Sequence, residues 1–149
     1  MKKGIIVLVV LVAILISGCS MSKLDEGVKP YTPSISGDNE GLIVDNVSFV
    51  YRATTDYLYI SGRFRVVSAG SGDGFITISY PDGIKGQSMG VGSVGTVALS
   101  KAYNGPDLTL RTSSETTCFI QAGAGNQAIQ VIGDDTYVLV SALIPRIIR

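Results

Sequence analysis

The chain of 149 residues carries two cysteines and no histidine, which excludes a Ser-His-Asp triad, a Cys-His pair and imidazole-ligated zinc. Cys118 lies in the run Thr116-Thr117-Cys118-Phe119-Ile120, with Arg111 as the nearest cation in sequence. Nothing there would depress its pKa, so the thiol is expected to act as a small buried hydrophobe. Gly133-Asp134-Asp135, and Asp73 between Gly72 and Gly74, offer oxygens to calcium. That ion takes about six to eight ligands and neither cluster has an EF-hand-like loop, so solvated turns are expected. The same aspartates would serve a carboxylate hydrolase only if paired at roughly 5–10 Å in a cleft, a distance no sequence displays. Ser100-Lys101 fails as a dyad because neighbours in a strand point to opposite faces.

Gly90-Val91-Gly92-Ser93-Val94-Gly95 matches G-x-G-x-x-G, and Glu115 lies twenty residues beyond it. A dinucleotide site needs a buried strand before that turn and a long helix after it. Here polar Lys85-Gly86-Gln87-Ser88 precedes it, and Asn104-Gly105-Pro106 soon stops whatever follows. A glycine-rich loop or flat strand is the expectation. No catalytic residue, no metal site and no cofactor is assigned, and the chain is not expected to be an enzyme.

Binding chemistry is better supplied. In Tyr57-Leu58-Tyr59-Ile60-Ser61-Gly62-Arg63-Phe64-Arg65-Val66, a period of two puts Leu58, Ile60, Phe64 and Val66 on one face. Tyr57, Tyr59, Arg63 and Arg65 fall on the other. Flat amphipathic rings beside guanidinium forks favour contact surfaces, so these four are the candidate partner-binding residues. A cross-strand ladder on a solvated face, or a homo-oligomer contact, are the other uses open to them.

The first twenty residues bear on location. Lys2 and Lys3 precede twelve unbroken apolar residues, Ile5 to Ile16, then the small pair Ser17-Gly18 and Cys19. This is the pattern of a secretory signal. Crossing a bilayer as a helix takes about 20 apolar residues, so an uncleaved anchor is the less favoured alternative. Ile16-Ser17-Gly18-Cys19 resembles the lipobox of bacterial lipoproteins. The resemblance implies cleavage between Gly18 and Cys19, a diacylglyceryl thioether on the Cys19 sulfur and acylation of the new amino terminus. Those acyl chains would be the only prosthetic group, and several of them anchor stably where one is marginal. Ser20, in place of Asp, implies passage to the outer membrane in a Gram-negative host. The expected location is therefore the cell envelope, with the membrane itself as a partner through the lipid.

Loss of residues 1–18 removes Lys2 and Lys3 and takes the formal charge from zero to −2. With 16% charged residues and no basic stripe, the chain is not expected to bind nucleic acid. Residues 19–41, with Pro30, Pro33 and scattered Ser, Gly, Asp and Asn, read as the lipid attachment site and a flexible linker. A loose coil of that length would hold a domain tens of ångströms from the bilayer, on the order of 5–6 Å × √n.

Residues 42–149 read as one β domain. Strands are expected over Leu42–Arg52, Tyr57–Val66, Phe75–Tyr80, Thr96–Tyr103, Leu108–Thr112, Thr116–Ala122, Ala128–Ile132 and Tyr137–Ile144. Turn clusters such as Pro81-Asp82-Gly83 and Asn104-Gly105-Pro106 separate them. About eight strands without an amphipathic helix predict an all-β antiparallel β-sandwich or jelly roll behind the signal helix and linker. The apolar end, Leu143 to Arg149, is expected to pack on the core or on a neighbouring subunit.

The stretch Asp56 to Gly83 adds a second likeness. "DYLYISGRFRVV", the turn "SAGSGDG" and the strand "FITISYPDGI" resemble the small β-sandwich domains of phage tail fibres and other virion surface proteins, with Gly62, Gly70 to Gly74, Pro81 and Gly83 in the corresponding places. The resemblance implies a phage- or prophage-encoded surface protein. Together these features predict a lipid-anchored, non-catalytic envelope protein that binds a protein or glycan through its β-sandwich. The alternative is a structural subunit of a virion or envelope assembly, held by an uncleaved N-terminal transmembrane helix.

Overall fold

A computed structural model describes residues 27–37, 40–70, 74–88, 92–102, 104–123, 126–127 and 132–147. The strands are β1 (Lys29–Tyr31), β2 (Ile35–Gly37), β3 (Leu42–Ala53), β4 (Tyr57–Ala69), β5 (Ile76–Ser79), β6 (Ser93–Leu99), β7 (Leu108–Thr112), β8 (Thr117–Ala122), β9 (Asn126–Gln127) and β10 (Thr136–Pro145). All pairings are antiparallel, as expected of an all-β sandwich-like fold. They form one sheet in the order β1-β3-β4-β10-β6-β7-β8-β5-β2, with β9 added beside β8.

That order dictates the shape. β1 and β2 stand at opposite ends of the sheet, yet only Thr32, Pro33 and Ser34 separate them in sequence. Four Cα steps reach at most about 14 Å, so the sheet must curl until its two edges nearly meet. The segment 29–37 straps the seam, with β1 paired to β3 and β2 to β5. Ser34 and Ser79 lock the second end, through Ser34 N donating to Ser79 Oγ (2.9 Å) and Ser79 N donating to Ser34 O (3.0 Å).

This corrects the expected linker. Residues 29–37 belong to the folded domain, and Pro33 is buried within it. Proline suits the crossing because no ladder partner is required of its missing N–H there. On the strap, Tyr31 turns inward and meets Phe49 (centroids 5.8 Å apart) and Tyr51 (5.5 Å), both edge to face.

The curl encloses a core that alternation predicts. Leu58, Ile60, Phe64 and Val66 of β4 are buried, as are Val138, Val140, Ala142 and Ile144 of β10 and Ile76, Ile78, Leu110 and Ile120 of the opposite half. The inward position between Ile60 and Phe64 is Gly62, and the Phe49 ring fills its place. A Cβ at Gly62 would lie 2.3 Å from Phe49 Cγ. β10 is an interior strand that pairs with β4 along its whole length and with β6 on its other side, and its end packs on the core through Ile144. The strand expected at Ala128–Ile132 lies, apart from buried Ile132, outside the described residues.

Candidate functional site

The outer face of β3, β4 and β10 gathers the candidate residues in rows set by the register. Arg52, Tyr59 and Leu143 are neighbours across the three strands; next come Val50, Ser61 and Ser141, then Ser48, Arg63 and Leu139. Tyr57 closes the lower end beside Pro145. Tyr57, Tyr59, Leu139 and Leu143 are all exposed, Leu143 by 54%. Arg52, Thr54, Tyr57, Tyr59 and Leu143 line a shallow depression of about 380 Å³.

Three of the four predicted residues, Tyr57, Tyr59 and Arg63, therefore stand exposed on one surface. Arg65 is corrected. A bulge in β3 between Asp45 and Ser48, with Asn46 at φ 50°, places Asp45 across from it. Arg65 Nε pairs with Asp135 Oδ1 at 2.9 Å, and Arg65 NH1 with Asp45 Oδ2 at 3.8 Å. Asp45 first, then Asp135, raise the guanidinium above its ordinary pKa. The side chain is a brace between β3, β4 and the turn before β10.

Leu139 and Leu143 were missed from sequence because Tyr137–Ile144 read as an apolar terminal strand. The signal was present: its inward set Val138, Val140, Ala142 and Ile144 leaves Leu139 and Leu143 on the other face.

The remaining chemistry is spent on structure. Asp134 Oδ1 accepts from Ala69 N at 2.7 Å, and its carbonyl accepts from Lys101 Nζ at 2.8 Å. With Asp135 at φ 53° and Gly133 at φ 67°, this pair forms the turn into β10. No cluster of three or more acidic or cysteine side chains that could hold a metal occurs among the described residues, and Asp73 lies outside them. Ser100 Oγ accepts from Tyr137 N at 3.0 Å, so Ser100 and Lys101 serve different partners. Of the glycine motif, residues 90 and 91 lie outside the described residues, while Ser93–Leu99 is β6. At Gly95 a Cβ would sit 2.2 Å from Ser141 O, so that glycine permits close strand approach. Glu115 pairs with Lys85 at 3.0 Å.

Cys118 is buried and its Sγ–H points to Ile78 O at 3.7 Å; burial pushes the thiol up to about 12. Tyr31 and Tyr80 are likewise raised, mainly by desolvation and then by nearby Cys118. Their hydroxyls are buried without a hydrogen-bond partner among the described residues. Among those residues no helix is long and apolar enough to cross a membrane; Gly18 and Cys19 lie outside them. No protein family matches the chain, and neither does any curated protein or solved structure.

Proposed function

We propose that the protein is a lipid-anchored, non-catalytic component of the cell envelope that holds a protein or glycan against the outer face of β4 and β10. The supporting observation is the exposure of Tyr57, Tyr59, Leu139 and Leu143 around Arg63 on that face. Rigid rings, aliphatic side chains and a guanidinium gathered on the outer face of the sheet match the composition of contact surfaces, and single exposed residues would not. The Ile16-Ser17-Gly18-Cys19 motif supports the anchor.

Two measurements test the halves separately. Metabolic palmitate labelling should mark the chain and vanish in Cys19→Ala; an intact Met1 in the mature protein would instead indicate an uncleaved anchor. A photo-crosslinking residue at Ser61, in the middle row, should yield a defined adduct in cells that Tyr59→Ala with Arg63→Ala removes. An unchanged adduct in that folded double variant would refute the surface.

A further inference from the structure

We infer that the partner on this face is a second copy of the chain, packed across a two-fold axis that crosses the strands at the row Val50, Ser61 and Ser141. This names the occupant of the contact surface proposed above and rests on that proposal. The first ground is the order of the rows. On β4, Tyr59 and Arg63 stand two residues to either side of Ser61, and on β10 Leu143 and Leu139 stand two residues to either side of Ser141. On β3, Arg52 and Ser48 flank Val50 in the same way. A two-fold axis lying across the strands sets each strand over its own copy, running the other way, and exchanges the rows on its two sides. Arg63 then meets Tyr59 of the other copy and Leu139 meets Leu143, and each contact is made twice.

The second ground is shape. The depression lined by Arg52, Thr54, Tyr57, Tyr59 and Leu143 lies wholly on one side of the axis row. Arg63 and Leu139, the latter 47% exposed, project on the other side, about 7 Å from the axis. Exchange of the rows sets that projecting pair over the depression of the other copy. On the axis itself stand Ser61 and Ser141, whose short side chains let the two faces approach.

The third ground is charge. Arg63 is exposed and makes no ion pair among the described residues. An axis along the strands would set Arg63 against Arg63, which like-charge repulsion opposes. The axis across them sets the guanidinium over a phenol ring, where the two attract. Arg52 is engaged within its own chain and faces Ser48 of the other copy. Arg65, already paired with Asp45 and Asp135, lies further out and faces Tyr57. Asp56, three residues beyond Tyr59, adds attraction for the approaching Arg63. Three strands and eight residue steps make a patch of about 14 Å by 26 Å, under half the per-copy area of a standard interface. Such a contact is weak between freely diffusing molecules, and confinement of the copies by the proposed lipid anchor supplies the local concentration it needs.

A photo-crosslinking residue at Ser61 sits on the axis, and cells carrying two differently tagged full-length chains report its products. The expected adduct joins both tags, has twice the mass of the mature chain and contains peptides of this chain alone. Placed at Leu139 instead, the reporter should attach to Leu143 of the other copy, as located by fragmentation. Tyr59→Arg should lower the yield at Ser61 about tenfold by setting arginine on arginine, and Tyr59→Arg with Arg63→Tyr should restore it, because the exchange rebuilds both contacts. Urea midpoints show that each variant folds. An adduct with a different protein or with a glycan overturns the second copy and leaves the contact surface standing. A self-adduct that survives Tyr59→Arg, or that joins Leu139 to a residue outside this face, overturns the two-fold arrangement. A folded chain that yields no adduct from Ser61 removes the contact surface and this inference together.

Discussion

Replacing Tyr31 by alanine should open the seam of the sheet. The ring makes two edge-to-face contacts, with Phe49 at 5.8 Å and Tyr51 at 5.5 Å. Each such pair contributes about 1 kcal/mol beyond area burial. Withdrawal of a partly buried ring from water adds about 2 kcal/mol. Against this stands a buried phenolic hydroxyl without a partner among the described residues, costing about 1 kcal/mol. Tyr31→Ala should therefore destabilise the fold by about 3 kcal/mol, whereas Tyr31→Phe should be neutral or stabilising by up to about 1 kcal/mol. Urea unfolding followed by far-UV circular dichroism gives both values. Labelling of Cys118 gives a second reading, because its thiol is 1% exposed and reacts only when the barrel-like closure opens. The alanine variant should label faster at urea concentrations well below its midpoint. A Tyr31→Ala chain within about 0.5 kcal/mol of the parent would refute the strap as the closing element. A phenylalanine variant as damaged as the alanine one would mean that the hydroxyl has a partner after all.

Gly62→Ala should cost about 1–3 kcal/mol, since its Cβ would enter the Phe49 ring, and pairing it with Phe49→Leu should recover part of the loss in the same urea assay. Alkali should unfold the chain. The folded state keeps the Cys118 proton up to about 12, against an ordinary value of 9.0, and the Tyr31 and Tyr80 phenols are raised above their own 10.0. Stability is then full below about pH 9 and falls above it, because the unfolded chain releases protons that the folded chain retains, by about 1.4 kcal/mol per pH unit for each group. Cys118→Ala should delay that onset toward pH 10, as read by urea midpoints across a pH series. Arg63→Ala should leave the urea midpoint unchanged and lower the yield of a Ser61 crosslink, while Arg65→Ala should do the reverse, since Arg65 is the residue paired with Asp45 and Asp135.

Much of the β domain could be read directly from alternation, and the reason is local. A strand with one face in the core must place apolar residues at every second position, and Leu58, Ile60, Phe64 and Val66 do so. Leu108–Thr112 matches β7 residue for residue, because Pro106 and Ser113 bound it in sequence. The strap was illegible for the complementary reason. Lys29–Tyr31 and Ile35–Gly37 are three-residue strands broken by Pro33, too short for a period to show, and their partners lie 18 to 43 residues away. The ion pairs of Arg65 were hidden in the same way: its own strand shows an outward arginine, but the bulge at Asn46 and the turn at Asp135 that bring its carboxylates are distant in sequence.

What escapes a local reading here shares one property, that it depends on how the sheet ends. A curled antiparallel sheet has two free edges, and unpaired edges are a liability unless something covers them. Here a single nine-residue segment, 29–37, covers part of both, and it does so because three residues suffice to cross the gap that the curl leaves. Composition could not announce this: proline, serine and glycine suit a linker and a seam equally well, since both lack a long ladder. Only the requirement that β3 and β5 be paired decides between them. The decision also moves the start of the domain from residue 42 to residue 29, which leaves nine residues of sequence between Cys19 and the first strand. Closing the seam and fixing where the folded domain begins are thus the work of the same nine residues.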